Sequence, residues 1–197
     1  MTFGSQILLL GNTGSVDGKS PRFHSPAHKV QLPASIGNSQ QDDLDGDMDY
    51  DSIFAVVKKS VKQVVHKERA GLGLALADLP ATLGAFWEVG GNYIVMNEAL
   101  IRAMVSLAKT RTEFNSFIYS ILTHEYLHSV GFIDEAEARE MTAIVAREYF
   151  GPDHPASVIS SVTPWTIYPE LLEVRGIGSS GFKIVSRFDS DSTSYIN

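Results

Sequence analysis

The sequence predicts an α+β protein on three observations. Apolar residues recur at helical spacing over 50–68 and again in three later stretches. A strand pattern and a glycine-centred hairpin lie between them. The two kinds of element are grouped in blocks rather than strictly alternating, which points to one segregated sheet.

The chain opens with "ILLL", a short strand pattern, followed by "GNTGSVDGKS". The last three residues of that stretch imitate a phosphate-binding loop. That loop needs a glycine where Thr13 stands and a helix where Pro21 and Pro26 bracket "PRFHSP", which disfavours nucleotide binding and favours a short strand followed by a Gly/Ser-rich turn. Residues 21–49 are rich in Pro, Ser, Asn, Gln and Asp without any period, and read as a polar, mobile arm. At its end and just beyond, Asp43, Asp45, Asp47, Asp49 and Asp51 alternate as in a calcium loop. With Gly46 in the sixth position of such a loop, Gln41 and Ser52 fall where ligands are required. The aspartates are better read as an acidic linker that caps the next helix. This gives two parts: 1–49, an N-terminal strand and arm, and 50–197, the folded domain.

From Tyr50 to Glu68, Ile53, Val57, Val61, Val64 and Val65 share one helix face, with Lys58, Lys59 and Lys62 opposite. "GLGLALADL" predicts a buried strand, and "AFWEVGGNYIVMN" a hairpin turning at Gly90–Gly91. "EALIRAMVSLAK", "EFNSFIYSILTHEYLHSV" and "EAEAREMTAIVAREYF" predict three helices, broken at Thr110–Thr112 and Gly131–Ile133. After Gly151 the chain reads as irregular until a last strand within "FKIVSRF".

Composition bounds the chemistry. A chain of 197 residues, 44 % apolar, is long enough to bury a real core. With no cysteine, disulfides and thiolate metal sites are excluded, and a metal must be held by His, Asp or Glu. The net charge of −7 disfavours a nucleic-acid partner. No secretory signal is visible and no run approaches the roughly 18 apolar residues of a membrane span, so the expectation is a cytoplasmic protein without a membrane partner.

The stretch that carries chemistry is "THEYLHSVGFIDEAE", residues 123–137. On a helix His124 and His128 lie one turn apart on one face, so both imidazoles reach a single zinc ion at about 2.0–2.1 Å. Glu125 is rotated by about 100° from His124, out of direct coordination but within reach of a water beside the ion. The alternative is that Phe117, Ile121, His124 and His128 form one core stripe, the imidazoles being hydrogen-bonded to carboxylates of the next helix. The glutamate between the two histidines favours zinc, Zn2+ held by His124 and His128 with Glu125 as general base.

Gly131 ends that helix and lets the chain turn back toward the site. The full pattern H-E-x-x-H-x-x-G-x-x-D, His124 to Asp134, resembles the metzincin clan of zinc peptidases, in which the third ligand stands at that last position. The methionine-containing turn of that clan has no counterpart, since Met141 lies in a helical run. Glu135 with Ala138 is similar instead to gluzincin-type peptidases, whose third ligand is a glutamate on a following helix. Glu137 is a further candidate. Asp134 is preferred as third ligand, although it also fits an N-cap with Glu137 completing a capping box.

The resemblance to zincins implies a zincin-like fold: a small mixed sheet, a backing helix and an active-site helix carrying the motif. It further implies a metallopeptidase whose extended substrate pairs with an edge strand, here expected at Tyr93–Met96. Tyr168 is the candidate to stabilise the oxyanion, while His66 and His154 read as surface or packing residues. Two alternatives stand beside the peptidase. A metal-dependent endoribonuclease family of ribosomal RNA maturation is similar in its two histidines, its glycine and a third ligand at the position of Asp134, but usually has glycine where Glu125 stands. A latent or regulatory zinc-binding protein is the other.

Overall fold

In the computed structural model the described residues are residue 40, residues 42–176 and residues 181–190. The strand pattern at 7–10, the phosphate-loop imitation and residues 21–39 of the polar arm lie outside them.

Helix α1 (Tyr50–Val65) begins at Asp49, whose side chain accepts a hydrogen bond from the Ser52 amide. It stops at His66, which takes a left-handed φ of 58° directly after Val65, the last residue of the apolar stripe. The other aspartates of the alternating run have separate partners. Asp43 accepts from Lys59 and from Tyr149, Asp45 from Thr112, and Asp47 pairs with Arg111. Asp51 binds Ser190 and Arg187. They spread outward to fix the chain around α1, and do not converge on an ion. Leu44 is fully buried and Asn115 donates to the carbonyls of Leu44 and Gly46. The packed region therefore starts upstream of Tyr50, inside what the sequence reads as arm.

Strands β1 (Gly73–Ala77), β2 (Ala85–Trp87), β3 (Tyr93–Asn97) and β4 (Lys183–Ile184) form one mixed sheet in the order β2-β3-β1-β4. The predicted hairpin is β2–β3, antiparallel, with Phe86 opposite Val95. Its turn closes through the Gly91 amide on the Glu88 carbonyl, with Gly90 at φ 83° where a side chain would be strained. The loop 78–84 carries the chain beyond the place β3 will take, so β3 inserts beside β1 and pairs with it in parallel, Leu74 opposite Ile94. This corrects the expectation that Tyr93–Met96 is an edge. β3 is internal, and the edge on that side is β2.

Leu74, Ile94, Met96, Ala85 and Trp87 face the main core. Helix α2 (Glu98–Leu107) follows β3 directly, capped by Asn97, and leads into α3 (Arg111–Ser129), capped by Thr110. Helix α3 is the centre of the molecule. Every residue from Asn115 to His128 is buried, because α1, α4 (Glu135–Phe150), α5 (Pro155–Ser161) and β2 all pack against it.

The region read as irregular holds α5, α6 (Pro164–Ile167) and a 3-10 turn, Pro169–Glu173. Each starts with a proline, which suits a first turn because its missing N–H has no helical partner there anyway. The last strand is short, and the segment after it is locked down. The buried Asp189 accepts from Lys58 and from the Gly71 and Leu72 amides, and Phe188 stacks on Phe54 at 4.3 Å. The whole is an α+β protein, and among the described residues no helix is long and apolar enough to cross a membrane.

Candidate metal centre

His124, Glu125 and His128 lie in the last two turns of α3 and are 4 %, 2 % and 4 % exposed. A buried imidazole must have its nitrogens satisfied, and the end of the helix does this for His128. The Phe132 amide binds the Leu127 carbonyl and the Gly131 amide binds the His128 carbonyl, a Schellman closure with Gly131 at φ 108°. That closure turns the Phe132 carbonyl back onto His128 Nδ1 at 2.7 Å. A carbonyl only accepts, so Nδ1 carries the hydrogen, and in the neutral ring Nε2 presents a lone pair.

Three groups meet at that lone pair. His128 Nε2 is 3.1 Å from His124 Nε2. Glu135 Oε1 is 3.3 Å from His124 Nε2, and Glu135 Oε2 is 3.3 Å from His128 Nε2. Ligands of a tetrahedral ion at about 2.0–2.1 Å are about 3.3–3.4 Å apart, so the three groups are close enough to bind one metal ion. His124, His128 and Glu135 are the one group of this kind among the described residues. The preferred third ligand, Asp134, is corrected by its position. It is exposed and caps α4, accepting from the Glu137 amide at 2.9 Å. Glu137 is exposed too. Because Asp134 is the cap, Glu135 becomes the first residue of α4 and points across to α3.

The electrostatics suit a cation. Burial pulls the His128 pKa down, but the Glu135 hydrogen bond, the Glu125 charge and the Phe132 carbonyl raise it above its ordinary value. Burial acts to raise Glu135, yet its hydrogen bonds to both histidines and to Arg139 bring it down to about 2. A carboxylate that attracts positive charge onto imidazole attracts a divalent ion in the same place, in competition with protons. Glu125 is raised by burial, with the Trp87 backbone N–H of β2 acting in the other direction. Its Oε2 is buried and has no partner among the described residues.

The flank is held by Arg69. Its guanidinium donates to the Ser129 carbonyl at the end of α3, to the Gly91 carbonyl of the hairpin turn and to Asn92, and lies over the Trp87 ring. Edge strand β2 is thereby fixed beside the end of α3. On the other side Arg139 donates to Glu135 Oε1 at 3.1 Å. Tyr168 is elsewhere: its hydroxyl donates to Glu113, in the first turn of α3, about 16 Å along the helix from His124. His66 is exposed, and His154 caps α5 while stacking on Phe150. Arg69, Phe132 and Arg139 escaped the sequence reading. Of these only Arg139, four residues after Glu135, carries a local signal.

No protein-family model, curated protein or solved structure matches this chain.

Proposed function

We propose that the protein is a zinc-dependent peptidase with His124, His128 and Glu135 as ligands and Glu125 as general base. The carrying observation is the convergence of two imidazole Nε2 atoms and one carboxylate at 3.1–3.3 Å, with the Glu125 carboxylate buried beside them. Zinc held there supplies Lewis acidity that polarises a carbonyl and lowers the pKa of water toward about 7.

The chain's own groups do the rest. Glu125, with an unpartnered oxygen, takes the proton of the attacking water and delivers it to the leaving amine, with no covalent intermediate on the protein. Phe132 fixes the tautomer and tilt of His128. Edge strand β2 gives an extended peptide a place to pair beside the end of α3, a role moved there from Tyr93–Met96. The ribonuclease alternative is weakened, because Asp134, the position that carried that resemblance, is occupied as a helix cap.

The test is zinc content by plasma mass spectrometry together with cleavage of a quenched fluorescent peptide library. About one zinc per chain is expected, with cleavage lost in Glu125→Gln and zinc retained. Protein that takes up no zinc overturns the reading. Zinc with no cleavage of any peptide favours the regulatory zinc-binding alternative.

A further inference from the structure

The two histidines of the centre are not held alike. His128 gives its Nδ1 hydrogen to the Phe132 carbonyl at 2.7 Å. His124 is as deeply buried, 4 % exposed, and its Nε2 faces His128 Nε2 and Glu135 Oε1, but its Nδ1 has no acceptor among the described residues. An imidazole that turns its Nε2 lone pair to an ion carries its hydrogen on Nδ1. A buried N–H costs free energy unless something accepts from it. Arg139 repeats the pattern next door. Its Nη2 donates to Glu135 Oε1 at 3.1 Å, while its Nε is buried and has no acceptor among the described residues.

His124 and Arg139 line one chamber of about 20 Å³, together with the hydroxyl-bearing Ser120, Thr142 and Ser160. A water needs roughly 10–15 Å³ of such space and about two to four polar partners, so the chamber takes one water and nothing larger. Two of the hydroxyls have committed their hydrogens, Thr142 to the Ala138 carbonyl and Ser160 to Ser120 Oγ, and their oxygens keep lone pairs. The rest of the lining, Ile121, Val162 and Pro164, is apolar. A chamber lined by two donors without acceptors and by hydroxyl lone pairs suits a molecule that accepts twice and donates twice. Water does both, whereas a halide ion only accepts.

We propose that this chamber is the site of a single ordered water, which accepts from His124 Nδ1 and Arg139 Nε and donates to the oxygens of Thr142 and Ser160. The water does for His124 what the Phe132 carbonyl does for His128, fixing the tautomer and tilt of the ring. Through Arg139 it also braces Glu135 Oε1, so one molecule supports two of the three proposed ligands. The site stands on the chamber and its donors; the orienting role rests on the metal-centre reading.

The test is a high-resolution crystal structure of the full-length protein, metal-free and after zinc loading, together with zinc affinity by chelator competition. One water within about 2.7–3.2 Å of His124 Nδ1 and of Arg139 Nε is expected in both crystals. Ser120→Val, which pushes a methyl group into the chamber, should expel the water and weaken zinc binding roughly 10- to 100-fold. Ser120→Ala removes the same hydroxyl without filling the chamber and should lose far less. A chamber without density, or a peak with the anomalous signal of chloride, overturns the site. Equal zinc affinities in the two variants overturn its orienting role. Water in place in a protein that takes up no zinc supports the site and overturns the metal-centre reading, so the two failures are told apart.

Discussion

The Phe132 carbonyl accepts from His128 Nδ1 at 2.7 Å, and it is placed there by the Gly131 turn that ends the helix carrying His128. The stop signal of the helix is thus also the orienting group of a proposed ligand.

Gly131→Val should weaken zinc binding without touching a ligand, since a β-branched residue is strained at φ 108°. The loss of an orienting partner is worth roughly 10- to 100-fold in metal affinity. Gly131→Asn, which tolerates a left-handed backbone better, should fall between. Chelator competition measures all three proteins, and unchanged affinity in the valine variant would refute the link between turn and ligand.

Asp134 and Glu135 are neighbours with the same charge and should fail differently. Glu135→Ala should lose zinc, because one of the three proposed ligands is gone. Asp134→Ala should lose mainly the cap of α4, about 0.5–2 kcal/mol of stability, best seen by denaturant unfolding of EDTA-treated protein. Greater zinc loss in Asp134→Ala than in Glu135→Ala would reverse the assignment.

Glu125 gives a pH signature in metal-free protein. Burial raises its pKa, so its protonated form is favoured by folding. Its contribution is fully present below the unfolded value of 4.5 and fades as pH rises through the raised folded value. Glu125→Gln cannot ionise, so metal-free variant should gain on wild type progressively as pH climbs over that window. Parallel stability curves for the two proteins would contradict the burial argument.

At the alkaline end the anchor of the N-terminal segment should let go. Hydrogen bonding to Asp43 raises Lys59 to about 12, and burial raises Tyr149 to about 12. Both groups favour folding in the protonated state, so their stabilisation is intact below about pH 10 and is lost as pH approaches 12. Tyr149→Phe should flatten the alkaline limb of the thermal-unfolding profile, and an unaltered limb would argue against this anchor.

The sequence speaks clearly where the governing contacts are local. The α1 stripe, the histidine pair and the Asp134–Glu137 capping pattern are set within one or two turns of helix, and each is legible as spacing. The choice between Asp134 and Glu135 turns on which is the cap and which the first helical residue, a shift of one position that reverses their directions. The place of β3 is non-local, fixed by pairing with β1 across an intervening strand. Its consecutive Ile94, Val95 and Met96 do carry a signal: a run buried on both faces suits an internal strand better than an edge. Arg69 joins a hairpin turn to the end of a helix far along the chain, and no local pattern announces such a bond.

Helix α3 is buried along most of its length and also holds the motif, and this limits how the protein can change over generations. In folds whose reactive groups sit on surface loops, loops vary while the scaffold is conserved. On the proposed function, drift that adjusts chemistry near His124 must also pass the packing demands of Tyr126, Leu127 and Ile121. Stability and reactivity are then selected together, and viable substitutions should collect in the elements that frame the helix, the β2 hairpin and the exposed side of α4, rather than in the helix itself.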